Sequence, residues 1–158
     1  MLRDKSLIPL SRQHQHALAL CVRIDRASPI DGSKLSEWET ELAQQFAAEI
    51  KVHFAAEEAI LFPAARGFAE LNPLVEDLIA DHQWLRTCFA KAEARQMSSE
   101  EISAFARRLA EHIRKEERQL FERLQQLMKP EELSALGEGL DRALESAAQV
   151  CSLPDPTK

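Results

Sequence analysis

The chain has 158 residues, of which 45% are hydrophobic and 29% are charged, and its formal net charge is −6. This length predicts one domain with a core large enough to fold without disulfides. The negative charge argues against a nucleic-acid partner, because phosphate binding needs a cationic face. No apolar run is long enough for a signal peptide or a membrane span, so we expect no membrane partner.

The cysteines indicate the compartment in which the chain works. Cys21, Cys88 and Cys151 are isolated and odd in number, and the sequence has no C-x-x-C motif. This pattern predicts no disulfide framework and fits a reducing compartment. We therefore expect a cytoplasmic protein.

The composition favours helix along the whole chain, with only four glycines and no tyrosine. Pro9 lies near the start of the first predicted helix, and the pairs Ser36 with Glu39 and Ser98 with Glu101 predict capping boxes for the second and fourth. Residues 1–150 are predicted to form the domain, and residues 151–158 a flexible tail. The five predicted helices cover about 9–27, 36–65, 74–95, 98–128 and 130–149.

Apolar side chains recur at spacings of three and four in the first four helices, as in helices that pack along one seam. Four such helices with short connections predict an all-α, up-down-up-down four-helix bundle, with the fifth helix outside it. Each seam carries one histidine in place of an apolar residue. In chain order, these histidines are His14, His53, His82 and His112.

The histidines are predicted to lie at one depth in the bundle. His53 and His82 are each about 11 residues from the turn that their helices share. His82 and His112 are each about 13 residues from the connection between the third and fourth helices. In antiparallel neighbours, equal distance from a turn means equal height, so His53, His82 and His112 should meet in one layer. His14 fits that layer less tightly, because the first loop is longer.

Two segments share the pattern H-x-x-x-E-E, at residues 53–58 and 112–117. Glu57 and Glu116 lie one helical turn from the histidines of these segments and share their buried face. Buried carboxylates cost several kcal/mol each unless a cation meets them, and no Lys or Arg lies on the seams at that height. We therefore expect a pair of divalent cations, and imidazole with carboxylate suits iron, manganese or zinc.

Six protein ligands are too many for one tetrahedral zinc ion. If both carboxylates bridge, each metal receives two imidazoles and two carboxylate oxygens, which leaves positions for an oxo or hydroxo bridge and a small exogenous ligand. His16 is predicted to lie at the surface or around the centre, and Glu117 replaces Glu116 if the fourth helix is rotated slightly. The predicted metal ligands are His14, His53, Glu57, His82, His112 and Glu116.

These motifs resemble the hemerythrin-like domain family, also called HHE cation-binding. The resemblance covers about residues 7–128 and is carried by Leu10–His14, His53–Pro63, Asp81-His82 and His112–Phe121. It implies a helical bundle with a non-haem di-iron centre that binds dioxygen, nitric oxide or related species. By the family pattern, the four histidines would be iron ligands and the two glutamates would bridge.

The chain departs from the oxygen-carrying hemerythrins, which use five histidines with an i, i+4 pair on the third helix. Arg86 lies four residues after His82 and Leu78 lies four residues before it, so this histidine pair is missing here. The last carboxylate ligand of the carriers corresponds in position to Glu117. The chain is more similar to the four-His, two-Glu branch, which includes bacterial iron–sulfur cluster repair proteins and an iron-sensing domain of a eukaryotic ubiquitin-ligase subunit. Gln13 stands where the family usually has an acidic residue.

Three hypotheses for function follow. The first is a di-iron protein that binds or senses O₂, NO, peroxide or cellular iron, with an unidentified protein partner. The second is a di-iron enzyme of oxidative or nitrosative stress, with peroxidase, NO-scavenging or repair activity, although no electrostatic clamp for a substrate is evident. The third is a metal-free interaction bundle that uses the fifth helix as its partner surface.

Overall fold

The computed structural model describes residues 1–150, and within them the chain forms five helices and no strand. The prediction of an all-α bundle with an extra C-terminal helix is confirmed. The predicted tail, residues 151–158 with Cys151, lies outside the described residues. The helices are α1 (Ile8–Ala27), α2 (35–65), α3 (Asn72–Glu93), α4 (99–127) and α5 (Pro130–Val150).

The first four helices form the bundle around one core. α1 packs against α4 and against residues 46–50 of α2, α2 packs against α3, and α3 packs against α4. Short connections make successive helices antiparallel. α5 lies outside the bundle against residues 51–61 of α2. No helix in residues 1–150 is long and apolar enough to cross a membrane.

α5 approaches the segment before α1 closely. A Cβ atom at Gly137 would lie only 2.7 Å from the Cβ of Ser6, so only glycine permits this approach without a shift. Leu136 and Leu140 of α5 are buried beside it. The fifth helix is therefore docked on the bundle through its apolar face.

The apolar core is divided into two clusters, one on each side of a buried polar layer. One cluster includes Leu20, Ile24 and Phe105, and the other includes Leu10 and Phe62. The two clusters flank the polar layer and limit its contact with solvent.

Cys21 and Cys88 lie in the first cluster as free, buried thiols. Burial raises the pKa of Cys21 to about 12 and that of Cys88 to about 11. The thiolate is the reactive form, so both side chains act as apolar packing groups at neutral pH.

The two predicted capping boxes have different outcomes. Ser98 and Glu101 form the predicted box at the start of α4. The box at Ser36 is wrong, because a 3₁₀ turn at Gly32–Lys34 leads directly into α2. Glu39 is instead only 3% exposed, and its carboxylate accepts a 2.8 Å hydrogen bond from the backbone N–H of Met97. Glu39 therefore makes a tertiary contact with Met97 instead of the predicted contact with Ser36.

Three π-helical turns interrupt the α-helical hydrogen bonding, two in α2 (Phe46–Ile50 and Glu57–Leu61) and one in α4 (Glu116–Leu120). In each turn the carbonyl of the first residue accepts from the N–H five residues later. The extra residue rotates the helix that follows, and therefore Leu61 is fully buried, whereas Ile60 is only partly buried.

Candidate metal centre

The structure brings the six predicted ligands together in the polar layer. All six residues are at most 5% exposed. The histidines come from the middle of four different helices, and each glutamate opens a π-helical turn one helical turn after a histidine. We call this set the histidine layer: His14, His53, Glu57, His82, His112 and Glu116.

The first group of converging atoms lies between α1, α2 and α4. The Nε2 atoms of His14 and His53 are 3.0 Å apart. His53 Nε2 lies 2.8 Å from Oε1 of Glu57, and His14 Nε2 lies 3.0 Å from Oε2 of Glu116. Each of these four side chains offers one ligand atom, and the four atoms lie within 4.8 Å of one another.

The second group lies between α2, α3 and α4 and contains the same two glutamates. The Nε2 atoms of His82 and His112 are 3.2 Å apart. His82 Nε2 lies 3.2 Å from Oε2 of Glu57, and His112 Nε2 lies 3.4 Å from Oε2 of Glu116. Glu57 thus turns one oxygen toward each group, which is the geometry of a bridging carboxylate.

The donor set fits two metal ions. Apart from the imidazole nitrogens of the same layer, none of the four carboxylate oxygens of Glu57 and Glu116 has a hydrogen-bond partner, although all four are buried. Two ligand atoms bound at about 2.1 Å to one cation and at right angles lie about 3 Å apart, close to the spacings within each group. Imidazole nitrogen and carboxylate oxygen are ligands that iron, manganese and zinc accept.

Without a cation, protons compensate the buried carboxylates. Burial disfavours a charged His14, but hydrogen bonds with Glu116 and Glu117 outweigh it and hold the pKa of His14 well above its usual range. Burial likewise opposes charge on His82, and the bonds with Glu57 and Glu58 raise its pKa to about 9. One imidazole of each group is thus protonated at neutral pH. Because a metal ligand must be neutral, metal binding must release these protons.

This protonation predicts a pH-dependent stability for the metal-free chain. The pKa of His82 is about 9 in the folded state against about 6.5 unfolded, so its contribution is complete below pH 6.5 and is lost as the pH rises to 9. We expect urea unfolding of metal-free protein to show a free energy of unfolding a few kcal/mol lower at pH 9 than at pH 6.5.

Metal-loaded protein is the control, because its imidazoles are neutral and the decrease should be absent between these two pH values. An equal decrease in the loaded and metal-free chains would contradict the prediction.

The Nδ1 atoms of the four histidines point away from the centre, and each donates to one further side chain. His14 donates to Glu117 at 2.7 Å. The corresponding distances are 2.7 Å from His53 to Gln13, 2.8 Å from His82 to Glu58 and 3.3 Å from His112 to Asp81. These bonds keep a proton on each Nδ1 and turn each Nε2 toward the centre, where it can bind a metal once any proton on it has been released. We call the four acceptors the outer partners: Gln13, Glu58, Asp81 and Glu117.

The outer partners form a closed ring around the bundle. Each adjoins a predicted ligand in the sequence, yet it bonds to the histidine of another helix. α1 supports the histidine of α2, α2 that of α3, α3 that of α4, and α4 that of α1. The sequence signal for these four residues was their position next to a predicted ligand. Neighbouring residues on a helix point about 100° apart, so a residue beside an inward-facing ligand points toward an adjacent helix. This ring of bonds between helices was not predicted from the sequence.

Cationic side chains hold the three acidic outer partners. Arg3 lies 2.8 Å from Glu117, Arg86 lies 2.6 Å from Glu58, and Arg108 lies 2.8 Å from Asp81. The hydrogen bond from His82 and the adjacent Arg86 lower the pKa of Glu58 to about 2, although burial opposes them. The three carboxylates are therefore ionised and fixed.

The two alternatives left open by the sequence have definite positions. Glu117 lies outside both groups and accepts from His14 Nδ1 and from the hydroxyl of Ser11. The side chain of His16 is 65% exposed and lies 3.0 Å from Glu49. Neither is among the converging donors.

A small cavity adjoins the first group, with a volume of about 20 Å³. This is room for about one water-sized molecule. Its wall includes His14, His53 and His112, with Gln13 and Glu49 as the other polar residues. The remaining lining residues are apolar: Ala17, Ile50, Phe54, Leu109 and Ile113.

Fold and site together define a helical-bundle protein with a buried His/Glu cation site. The family described as the hemerythrin HHE cation-binding domain matches residues 9–124, and the chain belongs to that family. The matched region includes all six side chains of the histidine layer. Searches of curated proteins and of solved structures found no match.

Proposed function

We propose that the chain holds two iron ions in the histidine layer and binds or senses O₂, NO or peroxide there. The observation that carries the proposal is the sharing of Glu57 and Glu116 between two four-residue groups. Two imidazoles and both carboxylates are thus available to each ion, and the free carboxylate oxygens lack any other partner. Iron, when bound, supplies a redox-active ion with affinity for diatomic ligands.

The protein residues supply orientation and exclusion of water. The Nδ1–H bonds to the outer partners keep every Nε2 lone pair directed inward. The apolar clusters on both sides of the layer restrict solvent, so a reactive ligand would meet few competing water molecules.

The cavity beside His14 and His53 favours a small, uncharged ligand. Its volume of about 20 Å³ excludes an organic substrate, and its lining contains no Lys or Arg. An enzyme that orients an anionic substrate would need such a cation. Turnover with peroxide or NO at the same centre is the second candidate, supported by the same access for small molecules.

The N-terminal segment offers a route by which the state of the centre reaches the surface. Arg3 donates to the backbone carbonyl and to the carboxylate of Glu117, which accepts from His14. The guanidinium also lies 5.1 Å from the ring centre of Phe121, which stacks on His14 at 5.7 Å. A change in charge at His14 would therefore act on Arg3, and a protein partner near this segment could detect it. We propose the cytoplasm as the location.

Anaerobic loading with Fe(II) tests the proposal. We expect close to two irons per chain by metal analysis, and a change in the optical spectrum when O₂ or NO is added. His16→Ala should behave as wild type, because His16 is exposed and lies outside the layer. Well below two irons per chain, or an unchanged spectrum, would contradict the proposal. Repeated turnover with peroxide and a reductant would favour the enzyme instead.

A further inference from the structure

The four outer partners are not of one kind. Three of them, Glu58, Asp81 and Glu117, are carboxylates held by arginines. Gln13, which accepts from His53 at 2.7 Å, is a neutral amide. The ring around the bundle therefore has one uncharged link, and it supports a histidine of the first group.

The type of acceptor changes the imidazole as a ligand. A carboxylate that accepts the Nδ1 proton raises the basicity of Nε2, and a hydrogen bond to a charged acceptor is about twice as strong as one between neutral groups. In the second group, both His82 and His112 donate to carboxylates. In the first group, only His14 does.

Among the described residues, no acidic side chain takes the place of Gln13 at His53 Nδ1. Glu49 lines the same cavity, but its carboxylate lies 3.0 Å from Nδ1 of the exposed His16. The inner glutamates do not produce the asymmetry either, because both belong to both groups. The difference between the groups thus rests on Gln13.

We infer that Gln13 makes the two metal positions unequal, so that the His82/His112 position fills first and the His14/His53 position binds its ion more weakly. Loss of an outer partner typically lowers metal affinity about 10–100-fold, and we expect a difference of about 10-fold or more between the positions. The inference rests on the proposed metal binding. Its consequence is a chain that can hold one metal and exchange the other, and the exchangeable position is the one beside the cavity.

Titration of metal-free protein with Co(II), followed by visible absorption and calorimetry, tests the inference. Wild type should bind two ions in two resolved steps. His53→Ala should lose the weaker step and retain the stronger one, whereas His82→Ala should lose the stronger step. The two variants thus lose different steps because the two positions fill in a fixed order. If His53 and His82 had only structural roles, the two variants would not differ in the step that they lose.

Gln13→Glu should strengthen the weaker step about 10-fold and bring the two steps together. Gln15→Glu adds the same charge at an exposed position of α1 and should leave both steps unchanged. Glu58→Gln should weaken the stronger step, and it therefore also reduces the difference in affinity between the two steps. It keeps the inference testable if Gln13→Glu does not fold.

The two proposals fail in different ways. Two equal steps in wild type, or a gap that neither Gln13→Glu nor Glu58→Gln narrows, would overturn the inference while the metal site stands. Absence of any Co(II) binding, combined with absence of Fe(II) binding, would overturn the proposed function itself.

Discussion

Glu57→Gln is expected to reduce the metal content of the chain from two ions to below one. Oε1 of Glu57 lies 2.8 Å from His53 Nε2 and Oε2 lies 3.2 Å from His82 Nε2, so this single carboxylate serves both groups. Glutamine keeps the shape but has one oxygen and no charge. We expect affinity at both positions to fall by more than about 100-fold, since an inner ligand contributes more than an outer partner.

His53→Ala provides the comparison, because His53 belongs to one group only. This variant should keep one ion per chain. Glu49→Gln is the matched control: it makes the same chemical change at a glutamate that lines the cavity but belongs to neither group. Metal analysis of the three variants after equal loading gives the result. Full metal content in Glu57→Gln would show that the carboxylate does not bridge.

The position of the layer could be predicted from the sequence because it depends on helix length alone. Equal distances from shared turns place His53, His82 and His112 at one height, and the structure has them there. His14 lies in the same layer as tightly as the others, with its Nε2 atom 3.0 Å from that of His53. The longer first loop contains a 3₁₀ turn at Gly32–Lys34, and α1 still places His14 in the layer.

The π-helical turns could not be predicted from hydrophobic periodicity. That periodicity assumes 3.6 residues per turn, whereas a π turn inserts one more residue and rotates the seam that follows it. Pro63 accompanies the turn at Glu57–Leu61, but the turn at Glu116–Leu120 has no proline after it. Both of these turns begin at a bridging candidate, whereas the third π-helical turn begins at Phe46.

The ring of outer partners depends on contacts between helices, which a single sequence does not display. The sequence shows only that the outer partners lie next to predicted ligands. These partners are Gln13, Glu58, Asp81 and Glu117. The sequence does not show that each one bonds to a histidine of a different helix. Glu39 was misassigned for the same reason, because its partner Met97 is 58 residues away. Local patterns predicted the helices and the buried faces, whereas side chains that link helices required the three-dimensional structure.

Removal of the metals by a chelator is expected to lower the melting temperature by about 10 °C or more. A ligand that binds only the folded state at about 1,000 times its Kd stabilises it by about 4 kcal/mol, and two ions contribute twice. For a chain of this size, 1 kcal/mol corresponds to roughly 2–4 °C. The effect should be larger at pH 9 than at pH 6.5, because the proton on His82 that substitutes for a cation is then lost.

The control is Glu57→Gln, which should melt at the same temperature with and without chelator. Circular dichroism should show that the metal-free wild type remains helical, because the two apolar clusters persist on both sides of the layer. The third hypothesis, a bundle that works without metal, makes the opposite prediction. If wild type melts at one temperature in iron and in chelator, the six buried polar side chains are stabilised by protons alone, and the metal-free bundle becomes the better account.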